Sequence, residues 1–399
     1  MSAIVTFLTG LLGSLTLAFA LEAPVVGISA IAGLDSVYVN LNWSPVPGAT
    51  SYSVYYQPRL AEPATLLGKT RAASFLTAVP NGWTWYQQPD VLGFYSVASD
   101  SAAMILIPAG QFIMGQAGVA MPEHSVTLTH SFLLGRTEVT NAQFLEALNW
   151  ALAQGLVSVV GDFVQQYDVN LLRINDPGYD YCEIRYNTDT QQFYLQSGTF
   201  NSGDWGPGFA FPTGYDPANQ PVMWVSWYGA ACYCDWLSLM AGLPAYYSGW
   251  WTNTNSPYTA TGYRLPTEAE WEFAAQHDDE RTYPWGASAP TCTLANYNND
   301  SYCVGWTGPV STHPTGASGQ GLQDMAGNLW EWCNDWDGTY SGSPQIDPVV
   351  PYNGLPFRVL RGGSWRDDAW GLQSAAHGTC SSPSNTSHII GFRLCSTLQ

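Results

Sequence analysis

Three textures of apolar and polar residues follow one another along this chain. Residues Ile4 to Ala20 are almost wholly apolar. Val37-Tyr-Val-Asn-Leu-Asn-Trp43 and Tyr52-Ser-Val-Tyr-Tyr56 then alternate with period two on either side of a turn-forming Ser44-Pro-Val-Pro-Gly-Ala-Thr50. That pattern predicts two strands, and Phe94-Tyr-Ser-Val-Ala98 predicts a late one. From Met104 onward, short strands and Gly/Trp-rich loops are interrupted by a few marked helices. Thr140 is the expected N-cap of one, with Phe144, Leu145 and Leu148 on a common face. A second starts at Ser226 and runs through Cys232 and Trp236 towards Met240. Thr267-Glu-Ala-Glu270 has the form of a capping box, in which the hydroxyl takes the N3 amide and Glu270 reaches back to the cap amide. Between about residues 155 and 214 the periodicity fades and Asn, Asp, Gly and Tyr accumulate, which predicts an inserted, surface-lying loop region.

The apolar start changes the picture first. Ala18-Phe19-Ala20 has the small-x-small form of a signal-peptidase site, so residues 1–20 are expected to be a secretory signal. No Lys or Arg precedes the run, and a short membrane anchor is the alternative. After cleavage no membrane insertion is expected, and the mature protein would be secreted, periplasmic or at the cell surface. The remaining length of the 399-residue chain suits two domains. Charge is scarce and lopsided, with 31 acids against 12 bases, a net −19, and Lys69 as the only lysine. Such a surface excludes nucleic acid as a partner, because phosphate binding draws on basic side chains that displace counterions. The excess of oxygen donors suits Ca²⁺. Eight cysteines (182, 232, 234, 292, 303, 333, 380 and 395) in an exported chain predict disulfides, with the pairing left open. Cys232 and Cys234 diverge on a helix and are not expected to pair with each other.

The alternating segments, with Trp43 as a buried core tryptophan, resemble strands B and C of a fibronectin type III sandwich covering residues 22–100. A longer resemblance rests on a string of motifs in one order. They are Ile107-Pro-Ala-Gly-Gln-Phe-Ile-Met-Gly115, Glu138-Val-Thr-Asn-Ala-Gln-Phe144, Gln220-Pro-Val-Met-Trp-Val-Ser-Trp227 and Tyr263-Arg-Leu-Pro-Thr-Glu-Ala-Glu-Trp-Glu272. Tyr283-Pro-Trp-Gly286, Asp324-Met-Ala-Gly-Asn-Leu-Trp-Glu-Trp332, Arg361-Gly-Gly-Ser-Trp365 and Gly391-Phe-Arg393 complete it. Residues 103–399 thus resemble the formylglycine-generating enzyme, or sulfatase-modifying factor, family. The resemblance implies an α+β fold, the irregular C-type lectin-like fold of that family, following a small all-β module.

Fold does not carry function by itself. The family's enzymes bind copper through two cysteines shortly after Gly-Gly-Ser, and Cu(I) requires such soft ligands. Here those positions fall on Asp367 and Leu372, so no copper and no catalytic residue are expected. Six histidines, among them His124 and His130 on one strand face, form no metal-binding string of the kind used by the iron-dependent sulfoxide synthases of the family. The resemblance also implies structural calcium. One site would use Ala326, Gly327, Leu329 and Glu331, and a second the region of Asn296, Tyr297 and Asp300.

Between the two last motifs the chain departs from the family while keeping framework residues such as Ala369, Leu372, Ser374 and Pro383. This layout resembles the variable proteins of diversity-generating retroelements, which display a randomised surface at about residues 366–390. Expected ligand contacts are Arg366, Asp367, Asp368, Trp370 and Gly371, followed by His377, Thr379, Ser382, Ser387 and His388. The expected protein is an exported, non-catalytic binder of a protein or cell-surface ligand. A fixed-specificity binder or structural surface component, and a formylglycine-generating-type oxidoreductase or other metal-dependent enzyme of the family, are the alternatives.

Overall fold

The computed structural model describes residues 104–174, 182–196, 215–249, 251, 255–276, 279–378 and 380–398, together with the backbone of the strands between residues 5 and 99. The chain divides into two units, Met1–Ala103 and Met104–Gln399. In the first, one sheet pairs Leu15–Leu17, Val26–Ala32, Val37–Trp43 and Ser74–Ala78 in that order. The other runs Val5–Thr6, Phe94–Ser99, Tyr52–Gln57, Thr65–Thr70. The expected strands at 37–43, 52–56 and 94–98 are therefore present. The Trp43 side chain, on which the fibronectin-like reading leaned, lies outside the described residues.

In the second unit the helix starts follow their caps. Helix α1, Asn141–Ala153, begins where Thr140 Oγ1 accepts from Gln143 N, and Gln143 Oε1 in turn accepts from Thr140 N. Helix α2, Trp227–Met240, is capped by Ser226 Oγ. It is buried from Trp227 to Ser238 except at Tyr228, which is half-buried, because it runs through the core instead of along a face. Helix α3, Glu268–Gln276, opens with the expected box, Glu270 N on Thr267 Oγ1 at 3.1 Å and Thr267 N on Glu270 Oε2 at 2.8 Å. Among the described residues no helix is long and apolar enough to cross a membrane.

The expected surface loop at 155–214 is not one where it is described. Ser158–Val160, Phe163–Gln166 and Val169–Arg173 make a three-stranded sheet, and Ile184–Asn187 pairs with Gln192–Leu195. Val164, Leu171, Ile174, Ile184 and Phe193 join the core built on α1 and α2. Residues 175–181 and 197–214 of that segment lie outside the described residues.

A second core packs the hairpin Gly110–Gln116/Ala120–Leu128 against α3 and Met325. Between the cores runs the strand Trp330–Trp336, buried at every position. Four glutamates of α3 and this strand would be costly there unpaired. Each meets an arginine: Glu270 pairs with Arg264 of its own motif, Glu268 and Glu272 with the distant Arg361, and Glu331 with the distant Arg393. The scarce basic residues of the second unit thus work largely inside it.

Candidate functional site

Strand Trp330–Trp336 has Arg358–Arg361 antiparallel on one side and Ile390–Gly391 parallel on the other. Residues 362–389 are therefore one excursion that leaves the sheet and returns to it across a single strand. Its departure needs two glycines. Gly362 and Gly363 have φ of 97° and 74°, and a Cβ at Gly363 would come within 2.8 Å of the Gly371 carbonyl.

The excursion's backbone is tied to the framework repeatedly. Gly327 N donates to Gly362 O (2.9 Å), Trp365 N to Asn328 O (2.9 Å) and Ser374 N to Thr282 O (2.8 Å). Further on, Gly378 N donates to Leu360 O (3.1 Å), Trp227 N to Pro383 O (3.1 Å) and Trp224 N to Ser387 O (3.0 Å). Its anchors Trp365, Leu372, Ser374 and Ala376 are buried. Its solvent-facing side chains are Arg366, Asp368, Trp370, Ser384 and Asn385, all exposed, Trp370 by 49%.

The expected ligand contacts separate accordingly. Arg366, Asp368 and Trp370 face solvent. Asp367 is half-buried, and its Oδ2 accepts from Ser364 N (3.0 Å) and Ser364 Oγ (2.5 Å), which makes it a turn-forming carboxylate. Gly371 is buried under Asp367 and is no contact residue. Ser382 and Ser387 are half-buried, and the Ser382 hydroxyl lies 2.9 Å from that of Ser384. His388 sits among the rings of Trp224, Trp306 and Trp365, with Arg366 Nη1 3.2 Å from its Nε2. Since arginine can only donate, that contact calls for an unprotonated Nε2. His377 turns away to the protein side, with Nε2 3.4 Å from Glu268 Oε1. Thr379 lies outside the described residues.

At the two positions where the family's enzymes have thiols, Asp367 is engaged as above. Leu372 is fully buried with Ala295, Tyr297 and Ala326. An oxygen ligand and an apolar side chain do not fit Cu(I), and no step through copper follows. His124 and His130 do not act together. His124 is buried edge-on to Tyr340, whereas His130 pairs with Asp347 at 3.5 Å.

The expected calcium donors fall into two groups. Glu331 is spent within the protein, since Arg393 and the Trp271 indole occupy its oxygens. Around it, however, buried Glu138, Asp324 and Glu331 share the guanidinium of Arg393. Burial, then Asp324 and Glu331, push the Glu138 carboxyl well above the usual range. Glu138 Oε1 accepts from Leu329 N at 3.1 Å, beside Ala326 and Gly327. In the second group Asn296 is buried and its Oδ1 has no partner, whereas Asp300 is exposed. Tyr297 is buried beside it, and the loop is closed by Cys292–Cys303, the one disulfide among the described residues. The other six cysteines form no disulfide among the described residues, and five of them are buried. Expectation therefore exceeded the structure on disulfides.

Sequence reading missed one convergence. Asp337, His377 and Cys380 bring a carboxylate oxygen, an imidazole nitrogen and a sulfur within 4.8 Å of one another. They come from segments forty residues apart, without a recognisable spacing.

The profile of the sulfatase-modifying factor enzyme 1-like domain matches residues 94–398. A formylglycine-generating enzyme of Thermomonospora curvata is 29% identical over 73% of this chain and 92% of its own. Serine/threonine-protein kinase pkn1 of Chlamydia caviae is also 29% identical over 73% of this chain, but the chain spans only 37% of that protein's length. Among solved structures, Treponema denticola variable protein 1 superposes with a TM-score of 0.51 at 25% identity, covering 73% of this chain and 94% of the other.

Proposed function

Because the chain belongs to the sulfatase-modifying factor enzyme 1-like family, we propose that it is a non-catalytic member exported to bind a protein or cell-surface ligand. Its contact face would be the excursion at about 366–390, varied in sequence while the scaffold stays constant. The observation that carries this reading is the backbone attachment of the excursion to Leu360, Asn328, Thr282, Trp227 and Trp224. Main-chain bonds hold the contour whatever side chains Arg366, Asp368, Trp370, Ser384 and Asn385 present, and binding residues commonly sit on loops positioned in this way. The likeness to a protein named for its variability supports the same reading. Trp370, with Arg366 four residues before it, would suit a hot spot, which favours aromatic and arginine anchors.

Calcium would act as a structural ion. Asn296 Oδ1 and the Tyr297 carbonyl would hold one ion, the carbonyls of Ala326, Gly327 and Leu329 another, with Asp324 and Glu331 supplying negative charge. Three buried carboxylates against one guanidinium leave the excess that a divalent cation neutralises. The first unit, in the fibronectin-like reading, would space the binding domain from its point of attachment or export.

The test is to sequence the gene's 3′ end across many cells. Substitutions confined to codons 366–390 are expected, beside a near-copy of the segment bearing adenines at the changed positions. An invariant segment without such a copy would remove the variable display. Oxygen consumption with copper and a cysteine-containing peptide should be absent, and turnover there would instead make the protein an oxidase of the family.

A further inference from the structure

The geometry points to a transition-metal site of the zinc class, with one sulfur, one nitrogen and one oxygen donor, formed by Cys380, His377 and Asp337. The three ligand atoms already lie within 4.8 Å of one another, half-buried and reachable from solvent. Cys380 Sγ is 3.9 Å from both His377 Nδ1 and His377 Nε2. Bond lengths of about 2.3 Å to sulfur and 2.0–2.1 Å to nitrogen at a tetrahedral angle place the two atoms about 3.6 Å apart, so a shift of a few tenths of an ångström, with a turn of the ring that aims Nδ1 at the metal, closes the pair.

Two features outside the donor set favour the same arrangement. His377 Nε2 faces Glu268 Oε1 at 3.4 Å, so a proton on Nε2 leaves Nδ1 as the ring nitrogen with a lone pair to offer a metal. A carboxylate behind a histidine is the usual outer partner of a metal-bound imidazole, fixing both its tautomer and its ring plane. The backbone also presents the ligands without a metal. Asp337 N donates to Phe357 O at 2.9 Å, Gly378 N donates to Leu360 O at 3.1 Å, and Arg361 bridges to His377. Ordering the loop therefore costs the binding step little.

Burial, and then the Asp337 carboxylate, keep the Cys380 thiol protonated well above the usual thiol range. A divalent cation reverses that balance, taking the thiolate and releasing one proton. Three protein ligands leave the fourth tetrahedral position open, as in exchangeable sites rather than closed structural ones. The inference does not rest on the ligand-face reading. It assigns His377 to the metal and leaves Arg366, Asp368 and Trp370 to the face.

The test uses the full chain, stripped with a chelator and kept under argon with Cys292–Cys303 intact, and titrated with Co²⁺ and then Zn²⁺. One equivalent of Co²⁺ should produce a thiolate-to-cobalt charge-transfer band that Zn²⁺ displaces. Cys380→Ser should abolish the band. His377→Ala should weaken Co²⁺ binding by more than the roughly 10–100-fold that loss of an outer partner typically costs. Should Cys380→Ser fail to fold, His377→Ala and Asp337→Asn decide by the same titration. A wild-type protein without the band, or a folded Cys380→Ser or His377→Ala protein that keeps it, overturns the assignment.

Discussion

Arg393 meets Glu331 edge-on, its Nη2 and Nε each 2.6 Å from a carboxylate oxygen, and both side chains are closed to solvent. The pair joins the strand through the centre of the second unit to the chain's last motif. Arg393 also donates to the carbonyls of Gly135 and Gln323, so a single side chain holds three segments.

Removing one partner of such a pair leaves a buried charge uncompensated, at a cost of about 3–5 kcal/mol. Arg393→Met is therefore expected to lower the denaturation midpoint strongly. Arg366→Met, an exposed arginine in the same domain, should shift it by no more than about 0.5 kcal/mol. Equilibrium urea unfolding of the two variants checks the contrast, and equal effects would contradict it.

Stability should fall as pH rises from 5 to 8. Burial, and then Glu268, raise the Asp335 carboxyl to about 7, and burial raises that of Asp235 to about 6. Both lie above the unfolded value of about 3.9. The native state therefore binds more protons than the unfolded chain between these values, and its advantage is lost as the groups ionise. Each pH unit is worth about 1.4 kcal/mol per group, so a drop on the order of a few kcal/mol is expected. Thermal unfolding in chelator at both pH values measures it, and a higher Tm at pH 8 would contradict the assignment.

Opening Cys292–Cys303 should loosen the loop that holds Asn296 and Tyr297. The bond spans a sequence separation of 11. Closing a loop of that size is worth about 2–3 kcal/mol by the chain-entropy relation. A Cys292→Ser/Cys303→Ser protein should show this loss in urea, and one as stable as the parent would mean that neighbouring contacts suffice.

What could be read from the sequence was local or matched a long motif string. Thr140, Ser226 and Thr267 announce their helices because a cap hydroxyl and the amide it serves lie within one turn. The strands at 158–173 did not announce themselves. Each is three to five residues long, too short to establish a period among Asn, Asp and Gly, yet Leu171 and Ile174 are fully buried. Asp367 and Gly371 look like surface positions until the turn closes on Ser364. Asp337, His377 and Cys380 meet only through the pairing of Arg358–Arg361 with Trp330–Trp336, a contact between segments that no local pattern encodes.

The excursion from 362 to 389 begins and ends on the two neighbours of one strand, so its ends stand only about two inter-strand spacings, roughly 10 Å, apart. Between the anchored carbonyls of Pro383 and Ser387 added length costs little, because doubling a flexible loop costs only about 0.6 kcal/mol in closure entropy. Insertions at the exposed tip around Ser384 and Asn385 can thus accumulate without disturbing the registers on either side. On the proposed reading, the scaffold would admit change in the size of what it presents as well as in its lettering.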